Sequence, residues 1–216
     1  MKKKISLLLL LTITLFLLKF SQREYVLWEW DRGSDLSFLS TEYYRFKNIK
    51  VAYLEKSLTF TQNRVFEEKR VYDLRIPETT EAFPVLRINQ AEPFREGDKR
   101  LQIVEDTFVN MCNELYKEKQ IKKCQIDYDV RNSEKEVFRQ MIISARGKIE
   151  KNVDLSANII VSWCRENSWV DGLGFLEVVP MYYDMGGESS TYKNYSYLYN
   201  FLKIVFPHHC LDMDYP

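Results

Sequence analysis

The strand-like segment 125–129 carries three polar side chains at two-residue steps. Side chains two residues apart in a strand point to the same face, so Gln125, Asp127 and Asp129 project together. Two carboxylates this close together on one face are an arrangement that general acid catalysis can use. The alternative is a structural polar layer that binds Arg87 or caps a helix. A buried Arg87 needs a carboxylate partner, and Asp127 or Asp129 is the expected one.

A second group of candidate residues follows a strand-like run that leads into the Gly186-Gly187 turn. Tyr183 and Asp184 stand just before this turn, and the carboxyl ends of parallel strands are where barrel enzymes place their sites. Trp28 and Trp163 also stand near strand ends, and indole faces stack on the apolar faces of sugar rings. Ordinary packing is the alternative for these aromatic residues.

Strand-like and helix-like segments alternate along the chain. The strand-like runs are Tyr25–Trp30, Lys50–Phe60, Pro84–Asn89, Cys124–Val130, Leu155–Trp163, Leu176–Met185 and a short final run at Leu211–Tyr215. Helical periodicity is found at 101–115, from 132 or 133 to 145, and at Tyr195–Val205. Residues 64–76 have the pattern of a local hairpin or an edge addition to a sheet.

Strands separated by helices predict βαβ units and a parallel sheet. We therefore expect an α/β fold, a (β/α) TIM-type barrel that is incomplete, with about seven strands. A closed eight-stranded barrel typically needs about 250 residues, and a single domain at 23–216 leaves little room for an eighth strand. The alternative is a doubly wound open sheet, although no Gly-x-Gly-x-x-Gly or Walker loop supports a nucleotide-binding version.

Residues 1–22 have the plan of a signal peptide or signal anchor, with lysines at positions 2–4 before the apolar run Ile5–Leu18. Cleavage and retention stay open, so we expect a periplasmic, cell-surface or membrane-anchored protein. Removing the four lysines of this segment from the 31 basic residues leaves 27 against 31 acidic ones, a net charge of −4. That balance argues against a nucleic-acid partner.

The four cysteines allow three disulfide pairings in an exported chain, and free buried thiols are the alternative. Cys112 on a helix and Cys124 at the start of the next strand could meet. Cys164 and Cys210 complete the set. No Cys-x-x-Cys spacing predicts a zinc site, and no cofactor or metal is expected.

An ordered series of motifs is similar to an uncharacterised bacterial family, domain of unknown function 3142. The motifs are Cys124–Asp129, Ser133-Glu134, Val161–Cys164, Trp169, Val179–Met181 and Met185-Gly186. The similarity covers roughly residues 25–216. It implies a barrel whose late strand matches residues 210–216 and in which an element that family members usually add after it is missing.

A more distant resemblance is to the family 18 chitinases, which carry Asp-x-x-Asp-x-Asp-x-Glu on the fourth strand and Met-x-Tyr-Asp on the sixth. Gln125 takes the place of the second Asp, Asp127 of the third and Asp129 of the acid Glu. Met181, Tyr183 and Asp184 match the second motif. The resemblance implies that Asp129 protonates a glycosidic oxygen, while Asp127, Tyr183 and Asp184 position a substrate acetamide.

Two functions remain open from the sequence. The first is a glycoside hydrolase that acts on a cell-envelope or extracellular glycan, with Asp129, Asp127 and Asp184 as catalytic residues. Its substrate-binding residues are Tyr183, Gln125, Trp28, Trp163 and Arg87. The second is a non-catalytic glycan-binding or envelope scaffold protein on a degenerate barrel. Membrane contact is expected only through an uncleaved N-terminal segment.

Overall fold

The computed structural model of the chain describes residues 24–41, 44, 48–61, 64–160, 169–181, 203–204 and 206–207. The strands are β1 (Glu24–Glu29), β2 (Ser34–Asp35), β3 (Asn48–Phe60), β4 (Val65–Lys69), β5 (Leu74–Arg75), β6 (Ala82–Gln90), β7 (Lys123–Tyr128), β8 (Asp154–Ile160), β9 (Phe175–Met181), β10 (Lys203–Ile204) and β11 (Phe206–Pro207). The α-helices are α1 (Lys99–Lys119) and α2 (Lys135–Lys148), and two 3-10 helices lie at Ser37–Ser40 and Asn132–Glu134.

Six of the described strands form a parallel array in the order β1, β3, β6, β7, β8, β9. β4 adds antiparallel to β3, and β2 pairs with β5 in a separate small sheet. β10 pairs with β1 at one end of the order, and β11 pairs with β9 at the other. Only one residue separates β10 from β11 in the chain. The sheet is therefore curled into a half-barrel, which distinguishes it from an open doubly wound sheet.

The outer face of the sheet packs against the helices. The predicted apolar stripe of α1 packs there, with Leu101 partly buried and the other members fully buried, namely Val104, Phe108, Met111, Cys112 and Leu115. Alternate residues of the central strands meet it, among them Leu86, Ile126 and Leu155. Each such side chain contributes on the order of 1.5–3 kcal/mol by leaving water. This core fixes the position of the strands that carry the candidate site.

The ends of α1 follow ordinary capping chemistry. Asp98 is the N-cap, and its carboxylate accepts a hydrogen bond from the backbone N–H of Arg100 at 2.9 Å. The helix ends at Gln120, which adopts a left-handed conformation with φ of 56°. A chain reversal at this point lets β7 begin three residues later, parallel to β6.

The enclosed face of the sheet changes character along the strands. It carries an apolar cluster of Val26, Ala52, Phe83 and Val85, which Val179 joins. These residues come from β1, β3, β6 and β9, so the cluster joins the two ends of the strand order across the curl. On β6 the same face becomes polar after Val85, and on β7 it carries Gln125 and Asp127.

A β-bulge in β3 contributes to this change. The pairing of β3 with β6 shifts register between Leu54 and Lys56, and one extra residue reverses which side chains face inward. Ala52 belongs to the enclosed cluster, whereas Leu58 and Phe60 belong to the helix-facing core. Without the bulge the simple alternation would turn Leu58 inward.

The sequence reading of the last described segments was wrong in one place. Residues 203–204 form a strand, although the periodicity of 195–205 predicts a helix. The run from Lys203 to Phe206 contains Ile204 and Val205, whose β-branched side chains favour a strand. Of the two alternatives for residues 64–76, the edge addition is confirmed, because β4 pairs with β3, whereas the local hairpin is wrong, because β5 pairs with β2. The final strand predicted at 211–215 lies outside the described residues.

Two of the cysteines lie in the helix-facing core. Cys112 and Cys124 are free thiols and fully buried, and the predicted proximity of the two is confirmed by their side-chain contact. Burial, with the neighbouring Cys124 thiol as the second contribution, raises the pKa of the Cys112 thiol well above its ordinary value. Cys164 and Cys210 lie outside the described residues.

Candidate functional site

The polar side chains of β7 face the interior of the half-barrel, as their spacing predicts. Gln125 and Asp127 are fully buried there. Asp129 directly follows the strand and bends toward the same region, where it binds the same arginine as Asp127. Ile126 packs on the opposite, helix-facing side. The predicted grouping of Gln125, Asp127 and Asp129 on one side is confirmed.

Arg87 holds the two carboxylates together. It lies on β6 directly beside Asp127 in the parallel register. Its NH1 group donates to Asp127 Oδ2 at 2.8 Å, its NH2 group to Asp129 Oδ2 at 2.9 Å, and its Nε to Asn89 Oδ1 at 3.1 Å. The guanidinium fork thus serves three acceptors at once. The predicted partnership of Arg87 with Asp127 or Asp129 is confirmed for both.

The electrostatics of Arg87 reflect these partners. Burial by itself would lower the pKa of the guanidinium. The charge and hydrogen bonds of Asp127, followed by those of Asp129, outweigh that effect, so the pKa of Arg87 lies above its ordinary value. Arg87 is therefore a permanent cation between two carboxylates.

Amide side chains extend this network on both sides. Asn158 of β8 donates to Asp127 Oδ1 at 2.5 Å, and Gln125 donates to Asn158 Oδ1 at 2.7 Å. On the other side Asn89 donates to Thr59 Oγ1 at 3.4 Å. These side chains form one connected set of hydrogen bonds, which we call the Arg87 network. Its members are Thr59, Asn89, Arg87, Asp127, Asn158, Gln125 and Asp129.

The two carboxylates of the Arg87 network differ in access. Asp127 is wholly buried, and both of its oxygens accept hydrogen bonds from protein groups. The side chain of Asp129 is 42% exposed and uses one oxygen to bind Arg87. Asp129 is therefore the carboxylate that solvent or a ligand can reach, and Asp127 is the one that orients the arginine.

A second layer closes the interior below the network. Lys123 and Glu177 form a buried ion pair there, and the Lys123 ammonium lies 4.1 Å from the centre of the Phe83 ring. Among the residues that the structure describes, Gln125 Oε1 and Ser156 Oγ are buried without a hydrogen-bond partner.

A different carboxylate cluster lies on the helix-facing side of β7. Glu134 is fully buried and accepts hydrogen bonds from the backbone N–H of Phe94 at 2.6 Å, the backbone N–H of Arg131 at 2.9 Å, the Tyr128 hydroxyl at 2.5 Å and the Gln90 amide at 2.6 Å. Burial, followed by the hydrogen bond and charge of Glu134, raises the pKa of Tyr128. This cluster ties the end of β6, the loop that follows it and the segment 131–134 to the end of β7.

Sequence reasoning missed several of these residues. Ser156 and Asn158 lie in the strand-like run Leu155–Trp163 but were not among the predicted site residues. Their two-residue spacing was the signal that could have placed them on the enclosed face. Asn89 lies two residues after Arg87, and the same spacing could have placed it on the face of Arg87. Nothing in the local pattern marked Glu134 as buried, because its partners come from distant segments.

The remaining predicted site residues are not all brought together. Trp28 lies on β1, packs against the apolar cluster of the enclosed face and has its ring 5.6 Å from that of Trp30. It stands two strands away from Arg87 in the sheet order. Asp184, Tyr183 and Trp163 lie outside the described residues, as does the predicted signal segment 1–22.

In the part of the chain that the structure describes, no group of three or more His, Cys, Asp or Glu side chains is arranged so that it could hold a metal ion. No helix in the same part is both long and apolar enough to span a membrane.

Comparison of the chain with protein-family models, with curated proteins and with solved structures gave no match. The resemblance to domain of unknown function 3142 and to the family 18 chitinases therefore stays a prediction.

Proposed function

We propose that this chain is an exported, glycoside-hydrolase-like protein on an incomplete (β/α) barrel that takes a glycan at the carboxyl ends of its parallel strands. The observation that supports this most is the position of Asp129, which is 42% exposed while its neighbour Asp127 is wholly buried. Barrel enzymes place their catalytic groups at this end of the sheet. A carboxylate, an arginine and several amides also match the donors and acceptors of sugar hydroxyls.

In a hydrolase, Asp129 is the group that exchanges a proton with the glycosidic oxygen. Asp127 and Gln125 act further inside, because they fix Arg87 and through it the orientation of Asp129. Tyr183 and Asp184 take the positioning roles that the chitinase resemblance gives them. Trp28 and Trp163 offer ring faces for stacking on the sugar.

Non-catalytic glycan binding is the second candidate, and the ion pair between Arg87 and Asp129 favours it. A general acid has to carry a proton, whereas this carboxylate accepts a hydrogen bond from a guanidinium. The same pair is well suited to bind neighbouring hydroxyl groups of a sugar without turnover. The two candidates therefore share one site and differ in what Asp129 does there.

Incubation with a panel of cell-envelope polysaccharides, with reducing ends and binding read together, tests both candidates. A hydrolase releases reducing ends, and Asp129→Asn abolishes the release while the protein stays folded. A binding protein binds without release. Absence of both from the whole panel would contradict the proposal. Export is tested separately by fractionation of cells that express the full chain, and retention in the cytoplasm would contradict it.

A further inference from the structure

The hairpin formed by β3 and β4 extends the sheet beyond the Arg87 network. β4 is exposed along its whole length and pairs only with the second half of β3 among the described strands. The register sets Thr59 opposite Phe66 and Ser57 opposite Glu68. Directly opposed residues of an antiparallel pair lie on the same face, with Cβ atoms about 5 Å apart.

Two contacts show that this face is the face of the network. Ser57 Oγ donates to Glu68 Oε2 at 3.2 Å, and Asn89 Nδ2 donates to Thr59 Oγ1 at 3.4 Å. Ser57 is also the register partner of Arg87. Phe66 and Glu68 therefore lie on the same face as the Arg87 network, and this face extends onto the hairpin. The bulge in β3 makes this possible, since it turns Ser57 and Thr59 inward.

Phe66 is an unusual side chain for this position. It is 46% exposed and belongs to none of the three apolar clusters of the described residues. A large exposed ring beside a row of hydroxyl and amide groups suits a ligand that has an apolar face and polar edges, which is how a sugar ring is built. Val65 is exposed as well, but it points to the opposite face of the same strand.

The spacing and charge of this surface define the ligand further. Phe66 and Asp129 are three strand spacings apart, about 14 Å along the sheet, so one sugar ring cannot contact both. Among the described side chains of this surface, the carboxylates of Glu68, Asp127 and Asp129 outnumber the guanidinium of Arg87. This balance disfavours uronic acids and phosphate-bearing glycans.

We propose that Phe66 and Glu68 form an accessory subsite that binds a distal ring of a neutral or amino oligosaccharide whose other end lies at Asp129. Phe66 supplies the stacking surface, and Glu68 accepts hydrogen bonds from hydroxyl groups. This inference rests on the proposed glycan function and adds the chain length and charge class of the ligand.

Calorimetric titration with N-acetylglucosamine oligomers, from monomer to hexamer, tests the subsite on the full chain. Phe66→Ala weakens binding of the longer oligomers about fivefold to tenfold, because a stacked aromatic contact is lost, and leaves the monomer unaffected. Val65→Ala is the matched control on the opposite face. Glu68→Gln and Glu67→Gln form a second matched pair, of which only Glu68→Gln weakens the longer oligomers.

The outcomes separate this inference from the proposal on which it rests. If the wild type binds no oligomer and no neutral polysaccharide of the panel, the glycan function fails and the subsite fails with it. If the wild type binds and Asp129→Asn weakens binding, but Phe66→Ala matches Val65→Ala at every length, the subsite alone is refuted. Tighter binding of acidic than of neutral oligomers would overturn the assigned charge class.

Discussion

The two carboxylate clusters at the end of β7 face opposite sides of the same strand and are built in opposite ways. Glu134 is fully buried on the helix-facing side and accepts hydrogen bonds from two backbone N–H groups, a hydroxyl and an amide. Asp129 lies at the mouth on the enclosed side, 42% exposed, and binds a single guanidinium. One carboxylate has its hydrogen-bonding capacity met by the protein, and the other leaves room for a ligand.

Access to solvent distinguishes a structural carboxylate from a functional one when both are found in one network. A buried carboxylate whose partners are all protein groups stabilises the fold, because its desolvation is offset by hydrogen bonds. Asp127 belongs to this kind although it contacts the same arginine as Asp129. Access, rather than closeness to Arg87, therefore marks Asp129 as the candidate site.

The largest expected effect is the loss of stability in Glu134→Gln. The substitution removes the charge that four donors share and turns an amide N–H toward them, so we expect the free energy of unfolding to fall by about 3 kcal/mol. Urea unfolding at neutral pH measures it. Glu136→Gln, an exposed position in the first turn of α2, is the control and should change stability little. Equal effects of the two substitutions would show that Glu134 is not a structural carboxylate.

Asp127→Asn is expected to cost about 2 kcal/mol of unfolding free energy. The amide can accept from Arg87, but its own N–H group then meets the Asn158 amide donor, and one buried hydrogen bond is lost. The same unfolding experiment checks this. If Asp127→Asn proves less destabilising than Asp129→Asn, the assignment of Asp127 as the structural carboxylate is contradicted.

The N-cap Asp98 is expected to make a smaller contribution to the free energy of unfolding, and this contribution depends on pH. The pKa of Asp98 lies below its ordinary value of 3.8, chiefly because the Arg100 side chain donates to it. Loss of this N-cap in Asp98→Ala lowers stability by about 1 kcal/mol at neutral pH. A carboxyl whose pKa is lowered by folding stabilises the protein above its ordinary pKa, and this contribution is lost as the pH falls through the lowered value. Unfolding curves of wild type and variant should therefore converge in acid, and a constant difference down to that range would contradict the assignment.

The sequence predicted the parts of the site that depend on local periodicity. The two-residue spacing of Gln125, Asp127 and Asp129 and the isolated Arg87 led to the contact that the structure contains. The apolar stripe of α1 followed from its helical periodicity, and the parallel sheet followed from the alternation of strands and helices. The first kind of feature depends on side-chain direction within one element, which the sequence determines directly.

The parts that were missed depend on relations between distant segments. The bulge after Leu54 is set by pairing with β6, so simple alternation along β3 cannot reveal that Ser57 and Thr59 turn inward. Glu134 is buried because Gln90 at the end of β6 and Phe94 in the loop after it donate hydrogen bonds to it. The strand at 203–204 forms because β1 offers it an edge, which overrides the helical periodicity of its sequence.

Asp129→Asn is expected to have the smallest effect on stability and the largest effect on binding. Its ion pair is partly exposed, and such pairs contribute about 1 kcal/mol or less. A bound ligand raises the thermal midpoint of a protein that binds it only when folded. One measurement therefore combines both properties, namely the thermal midpoint of wild type and Asp129→Asn with and without the tightest-binding oligosaccharide.

The two proteins are expected to melt within a few degrees of each other without ligand, and the oligosaccharide is expected to raise the midpoint of the wild type more than that of the variant. A variant that melts far below the wild type would make Asp129 a structural carboxylate like Glu134. An equal ligand-induced rise in both proteins would remove Asp129 from the site.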